Sequence, residues 1–248
     1  MVLLAGSLMA ADKDDVGAAI AKLAAADNYS WKTSVSNVPP PDAAGGGGGR
    51  RGGRGFGGPS SGKAQKDGLL YVNMPGRGGV TEGYVKGTKG AIKAGDDGAW
   101  ASFAEATADD GNGGFNPATF AARRLQTTKS PADTAKDLLD KVKSVTKADD
   151  AYTADLTEDG AKSFMTMGFA GFGRGGGAGG NGPDISGAKG SVKFWVKDGV
   201  LVKYETHIEG TMSFGGNDRP LNTITTVDIT DVGATKIEVP DDAKKKMS

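Results

Sequence analysis

Gly190-Ser-Val-Lys-Phe-Trp-Val-Lys-Asp-Gly-Val-Leu-Val-Lys-Tyr-Glu-Thr-His-Ile-Glu209 is the stretch whose reading decides the fold. Val192, Phe194 and Val196 alternate with Lys193, Trp195 and Lys197. After a Lys197-Asp198-Gly199 turn, Val202, Tyr204, Thr206 and Ile208 alternate with Lys203, Glu205, His207 and Glu209. An apolar–polar period of two between Gly and Asp turns marks strands with one buried and one wet face. Two further runs, Thr223 to Ile229 and Thr235 to Val239, follow turn-rich breaks. The last quarter, Gly187 to Pro240, therefore reads as a four-stranded antiparallel meander.

Working outward, the same alternation recurs upstream. Tyr29, Trp31, Thr33 and Val35 alternate with polar residues and give an early strand, ended by Val38-Pro-Pro-Pro41. Leu69–Met74, Val80–Lys86 and Gly90–Lys93 are short runs separated by turns, and Gly95-Asp-Asp-Gly98 leads on to Trp100. Neighbouring strands of this kind pair in sequence order. Helices intervene. Asp14 to Ala26 carries Val16, Ile20 and Leu23 on one face. Asn116-Pro117 opens a helix to Gln126 with a cap and a proline at the first helical position. Ser130-Pro131 repeats the device, and the stripe Ala135, Leu138, Leu139, Val142 and Val145 predicts a helix reaching past 145. A strand over 151–156 and a short helix over 160–167 complete the layout. The order of elements is α+β: a large curled antiparallel sheet, a half-barrel, with helices covering one face and two long Gly-rich loops.

Those loops are expected over 43–66 and 168–187, around Arg50-Arg-Gly-Gly-Arg54-Gly-Phe56 and Gly168-Phe-Ala-Gly-Phe172-Gly-Arg174. Such tracts bury too little apolar surface to offset the entropy of ordering. Two functions fit them besides a plain solvent-exposed loop. One is an RGG-type nucleic-acid segment, with Arg on phosphate and Phe on bases. The other is a projecting contact to other envelope proteins. Lys+Arg and Asp+Glu number 30 each, so no net charge draws the whole chain to nucleic acid or an anionic membrane.

Met1 to Ala11 is an apolar run ending in small residues and followed at once by Asp12-Lys-Asp-Asp15. It reads as the core and cleavage site of a secretory signal without its basic start, the alternative being a buried first helix. It is too short to span a bilayer. The expected organisation is a signal remnant over 1–11 and a single domain over 12–248, in an exported protein that is periplasmic or extracellular. Ser7 follows Leu4-Ala5-Gly6 where a bacterial lipoprotein signal has cysteine, so release rather than lipid anchoring is expected.

Catalytic and metal chemistry find little purchase. Cysteine is absent, which excludes disulfides, thiolate metal sites and cysteine nucleophiles. His207, the single histidine, has Glu205 and Glu209 on its own face, but no further ligand group accompanies them. Asp109-Asp-Gly-Asn-Gly-Gly114 lacks the later carboxylate of a calcium loop. No Gly-Lys-Ser/Thr follows the glycine pairs, and no pair of carboxylates is singled out. No metal, cofactor or catalytic residue is assigned, and a non-enzymatic protein is expected.

The layout resembles the LolA/LppX-like superfamily of periplasmic lipoprotein and lipid carriers. The resembling stretches are Gly190 to Lys203, with its strand, Asp-Gly turn and strand; Thr226 to Ala243, with glycine, a short run, proline, acidic residues and alanine; and the early strand Tyr29 to Val35 after a helix. The resemblance implies an apolar ligand, a lipid or lipoprotein acyl chain, held between a concave sheet and a helical lid. It implies a lining of Trp31, Val35, Tyr71, Tyr84, Trp100, Val192, Phe194, Val202, Tyr204 and Ile208 from the strands, with Leu138, Leu139 and Val142 on the lid. These side chains equally describe a closed core. An exported structural or surface-interaction protein with projecting Gly-rich loops is the alternative reading.

Overall fold

The computed structural model describes residues 5–39, 60–76, 79–108, 116–167, 183–214 and 216–248. A helix, α1 (Ala5–Ala24), precedes β1 (Asn28–Asn37), β2 (Ser60–Gln65), β3 (Leu69–Gly76), β4 (Gly79–Lys86), β5 (Lys89–Ala94) and the short β6 (Ala101–Ser102). Three helices follow, α2 (Phe103–Thr107), α3 (Pro117–Gln126) and α4 (Pro131–Asp140). Then come β7 (Val142–Ala148), β8 (Ala151–Leu156), α5 (Glu158–Met167), β9 (Asp184–Lys197), β10 (Val200–Phe214), β11 (Asn217–Thr230) and α6 (Asp241–Met247). All eleven strands form one antiparallel sheet in the order β6-β5-β4-β3-β2-β1-β11-β10-β9-β8-β7. Its ends, β6 and β7, do not meet, so the sheet is an open, curled α+β architecture as the alternation predicts.

Directly paired residues share a face, so the register draws the inner surface. Ile92, Gly83, Val72, Gly62, Trp31 and Ile229 form one row across the sheet. Tyr152, Phe194, Tyr204, Val227 and Thr33 form the next, and Ala154, Val192, Thr206, Thr225 and Val35 the one after. One hydrophobic core joins this face to α1, α3, α4 and α5. The helices sit in two groups. α1 packs on α4 and on β7, β9 and β10, and α5 covers β8 to β10, whereas α2 and α3 pack together over β4 and β5.

The caps behave as their residues dictate. Asn116 Oδ1 accepts from the Ala118 and Thr119 N–H groups, and Ser130 Oγ accepts from the Asp133 N–H at 3.1 Å. Ser102 and Glu105 close a reciprocal capping box on α2.

Four expectations are corrected. The helix over the Ala135–Val145 stripe stops at Asp140, and Val142 and Val145 belong to β7. A register shift between them points both inward, so a strand with a bulge mimics the helical spacing. Val142 is thus on the sheet and not on the lid. Residues 60–65 and 184–187, expected in Gly-rich loops, are strand residues of β2 and β9. The remainder of the two tracts, 43–59 and 168–182, lies outside the described residues, as do residues 109–115. The run Thr235 to Val239 is no strand. Both edges of β11 are already taken, by β10 and β1, so nothing remains for it to pair with. A turn with Asp231 at φ 53° and Gly233 at φ 78° sends it instead across the outer face. There Ile237 and Ala243 bury Leu69, Tyr84 and Ala91. Finally, a bulge between Leu201 and Lys203 breaks the alternation of β10. Leu201, fully buried, takes the core place expected for Val202.

Candidate functional site

Between the two helix groups the inner face of β3, β2, β1 and β11 forms a seam. Its middle is tiled by large side chains. Trp31 lies over Gly62, with Val72, Val227 and Ile229 around it, all buried. Gly62 makes this possible, because any Cβ there would occupy the space of the Trp31 ring and the Tyr71 carbonyl oxygen. Toward one end of the seam, Thr33, Val35 and Thr225 are only half-buried, and the principal helix contacts fall elsewhere.

At the other end, a cleft of about 350 Å³ opens where α1 ends and the chain crosses from α3 to α4. Tyr29, Ala64, Leu70 and Val85 supply its apolar side, and Lys66, Thr128, Lys129, Ser130 and Asp133 its polar rim. Sequence reasoning missed Ala64, Leu70 and Val85 as a group. Leu70 and Val85 lie in readable strands and face each other in the register, but Ala64 sits in β2, concealed by the adjoining glycine tract.

Two buried phenols anchor α4 on this surface. The Ala132 N–H donates to the Tyr29 hydroxyl oxygen at 3.4 Å. Burial raises the Tyr29 pKa, partly countered by its hydrogen bonds to Ser130 and Ala132. Burial raises the Tyr204 pKa strongly, with Tyr29 adding to it and a hydrogen bond to Thr134 opposing it. Both groups are therefore neutral hydroxyls that tie β1 and β10 to the first turn of α4.

The structure divides the expected lining between two faces. Trp31, Phe194, Tyr204 and Ile208 look inward with Val192, and Leu138 and Leu139 of α4 and Val142 of β7 meet them in the same core. Val35 is on the inner face in the half-buried region. Tyr71, Tyr84 and Trp100 are on the outer face, with ring centroids 5.1 Å and 5.3 Å apart along the series. They line or adjoin a second cleft of about 620 Å³, roofed by residues 231–238, where the Tyr84 hydroxyl donates to the Glu238 carbonyl at 3.1 Å.

His207 also looks outward. Its Nε2 lies 2.7 Å from Asn222 Oδ1, and Glu205 Oε2 accepts from the Thr226 hydroxyl at 3.1 Å. Among the described residues no group of three His, Cys, Asp or Glu side chains is placed to hold a metal. No described helix is long and apolar enough to cross a membrane.

No protein-family model and no curated protein matches the sequence. Two solved structures are similar over nearly the whole chain. LprF from Mycobacterium bovis aligns with 94% of this chain and 98% of its own at 11% identity, with a TM-score of 0.47. The lipoprotein LppX of Mycobacterium tuberculosis aligns with 93% of this chain and 99% of its own at 10% identity, with a TM-score of 0.42. The second carries the name of the superfamily whose layout the sequence resembles. At these identities and TM-scores neither speaks to what this chain binds.

Proposed function

We propose that this chain is an exported, non-enzymatic protein that holds an apolar ligand, a lipid or acyl chain, in the seam between its two helix groups. The observation that carries the reading is the gap that the described helices leave over β1 and β11. Thr33, Val35 and Thr225 stand half-buried beside the buried Trp31, Val227 and Ile229. Burial of alkyl surface there would supply the affinity, about 0.8 kcal/mol per methylene. The cleft beside Leu70 and Val85 is the corresponding opening at the far end of the seam.

The export reading is compatible with the contacts of α1 from Asp12 onward. Asp12 Oδ2 accepts from the Lys147 N–H at 3.0 Å, the Tyr152 hydroxyl meets Asp15 at 3.3 Å, and Val16, Ala19, Ile20 and Leu23 are buried. A leader cleaved after Ala11 would leave all of these in place.

The full chain, purified gently from its native host, should release stoichiometric lipid to organic extraction and mass spectrometry. Val35→Arg should abolish that lipid while the far-ultraviolet dichroism stays unchanged. A lipid-free protein that also ignores a fluorescent fatty acid would overturn the reading. The large buried residues of the inner face would then be core alone, and a structural or surface-interaction module would be left.

A further inference from the structure

Among the described residues Arg124 has no counter-ion. It lies in the last turn of α3, whose orientation is set by two neighbours on that helix. Leu125 presses its methyl groups onto Gly83 of β4, so its direction is toward the sheet. The Thr119 hydroxyl donates to the Ala106 carbonyl of α2 at 2.7 Å, so its direction is toward α2. At about 100° per residue, Arg124 projects on the opposite flank from Thr119. That flank faces away from α2 and β5, toward the seam over β3, β2 and β1.

A guanidinium offers five donors and is charged at any physiological pH. When withdrawn from water such a group normally finds a carboxylate or a carbonyl. Arg124 is half-buried, and among the described residues no carboxylate, carbonyl or hydroxyl accepts from its guanidinium, and no aromatic ring lies against it. Elsewhere in the fold Lys129 is matched by Asp137, Lys162 by Glu158 and Lys246 by Glu105. Desolvation, with nothing opposing it, lowers the Arg124 pKa. A cation drawn partly out of water at that cost lacks the partner that would justify it.

We infer that Arg124 is the recognition point for an anionic head group, and that the ligand of the seam is an amphiphile whose carboxylate or phosphate oxygens take the guanidinium's free donors. The inference rests on the proposed apolar-ligand reading and adds the chemical class of the ligand. The tail lies on the inner face of β1 and β11, and the head sits against α3, a turn deeper than Thr128 on the cleft's rim. Neutral lipids, lacking the charge, bind the same seam more weakly.

The test compares a fluorescent polyene fatty acid with its methyl ester on the full chain, beside the Arg124→Met and Arg124→Lys variants. Wild type should prefer the acid by about tenfold or more, the worth of a charge-assisted hydrogen bond. Arg124→Met should erase that preference, leave the ester's affinity unchanged, and raise the melting temperature of the ligand-free protein by removing an unpaired charge. Arg124→Lys should keep part of the preference, since the charge remains and the fork is lost. If acid and ester bind wild type equally and Arg124→Met changes neither, the apolar reading stands and the role of Arg124 falls. If neither probe binds, both fall together. A melting temperature that drops in Arg124→Met would show a structural partner for the guanidinium and overturn the inference. Binding of inorganic phosphate as tight as that of the fatty acid would make the ligand a free anion, and overturn the amphiphile.

Discussion

Gly62→Ala tests whether the floor of the seam is as tightly built as its geometry requires. A Cβ at Gly62 would fall 2.6 Å from Trp31 Cη2, and closer still to Trp31 Cζ2 and the Tyr71 carbonyl oxygen. The carbonyl belongs to the β2–β3 ladder and cannot rotate aside; the indole can leave only by tipping off the sheet into the seam. Overpacking of this kind costs about 1–3 kcal/mol. Alanine in a strand returns about 0.5–1 kcal/mol relative to glycine, through the unfolded chain's lost freedom. The backbone carbonyl cannot yield, which puts the cost toward the upper end, so the net loss is about 2 kcal/mol, or roughly 4–8 °C in melting temperature for a chain of this size. Gly83→Ala is the internal control. The three atoms nearest its Cβ would all belong to the Leu125 side chain, Cδ1 closest, then Cδ2 at 3.2 Å and Cγ at 3.3 Å; with no backbone atom among them, a shift of that side chain relieves the clash and the loss is smaller. Thermal melts followed by near-ultraviolet dichroism read both stability and the tryptophan environment. A Gly62→Ala protein as stable as wild type, with an unchanged tryptophan signal, would refute the picture of Trp31 pressed flat on a glycine.

Three further outcomes are expected. The Tyr84 pKa is pushed up to about 12, first by burial and then by Tyr71 and Glu82. The unfolded phenol ionises near 10, so the stability Tyr84 contributes is whole below pH 10 and lost as pH rises through about 12. Alkaline unfolding of Tyr84→Phe should therefore fall less steeply over that window than wild type; parallel curves would count against it. At the other extreme, the Lys246 ammonium, then the Ser102 N–H and hydroxyl, hold the Glu105 carboxyl down to about 2. The link of α6 to α2 should then persist as pH falls below 4.5 and break only through about 2. Lys246→Ala should expose α6 to carboxypeptidase at neutral pH, and equal digestion rates would refute the link. If the chain is cleaved after Ala11, removal of residues 1–11 should leave the melting temperature within about a degree, since the contacts of Asp12 and Asp15 and the buried Val16, Ala19, Ile20 and Leu23 all remain; a fall of several degrees would mean that the first residues are part of the core.

What could be read from the sequence was whatever is written in local pattern. The alternation at Val192–Phe194 and Tyr204–Ile208 and the caps at Asn116 and Ser130 each rest on residues close in sequence, and each became the expected element. The misreadings share a cause, which is that a neighbour distant in sequence decided the outcome. Val142 and Val145 fit a helical stripe, but pairing with Leu156 and Ala154 holds them in a bulged strand. Gly62 looked like the tail of a low-complexity tract until Trp31, across the register, needed the space above it. Thr235 to Val239 has strand composition, yet β11 has no free edge to offer. That Trp31, Phe194, Tyr204 and Ile208 are buried was legible residue by residue, but Val202 was displaced by a bulge, and the placing of Tyr71, Tyr84 and Trp100 on the outer face depends on strand register. Arg124 carried no signal at all, since an unpaired cation is defined by what fails to surround it.

The place of the seam follows from chain order. The sheet is assembled from two sequence-local halves, β1 to β6 and β7 to β11, which join only where β1 meets β11. α2 and α3 follow β6 and fold back on β4 and β5, α4 and α5 settle on the β7 to β10 half, and α1, though it precedes β1 in the chain, crosses to that half as well. The strands at the join are therefore the last to be covered, and cover is thinnest at Thr33, Val35 and Thr225. Residues Thr127–Ser130 must cross from one helix group to the other, since they link α3 to α4, and they roof the cleft as they do so. Any ligand that widens the seam must change the distance that these few residues span. Tyr29 and Tyr204 hold the α4 side to the sheet, so the adjustment falls on α3, the helix that carries Arg124. Head-group recognition and seam opening are then movements of the same helix.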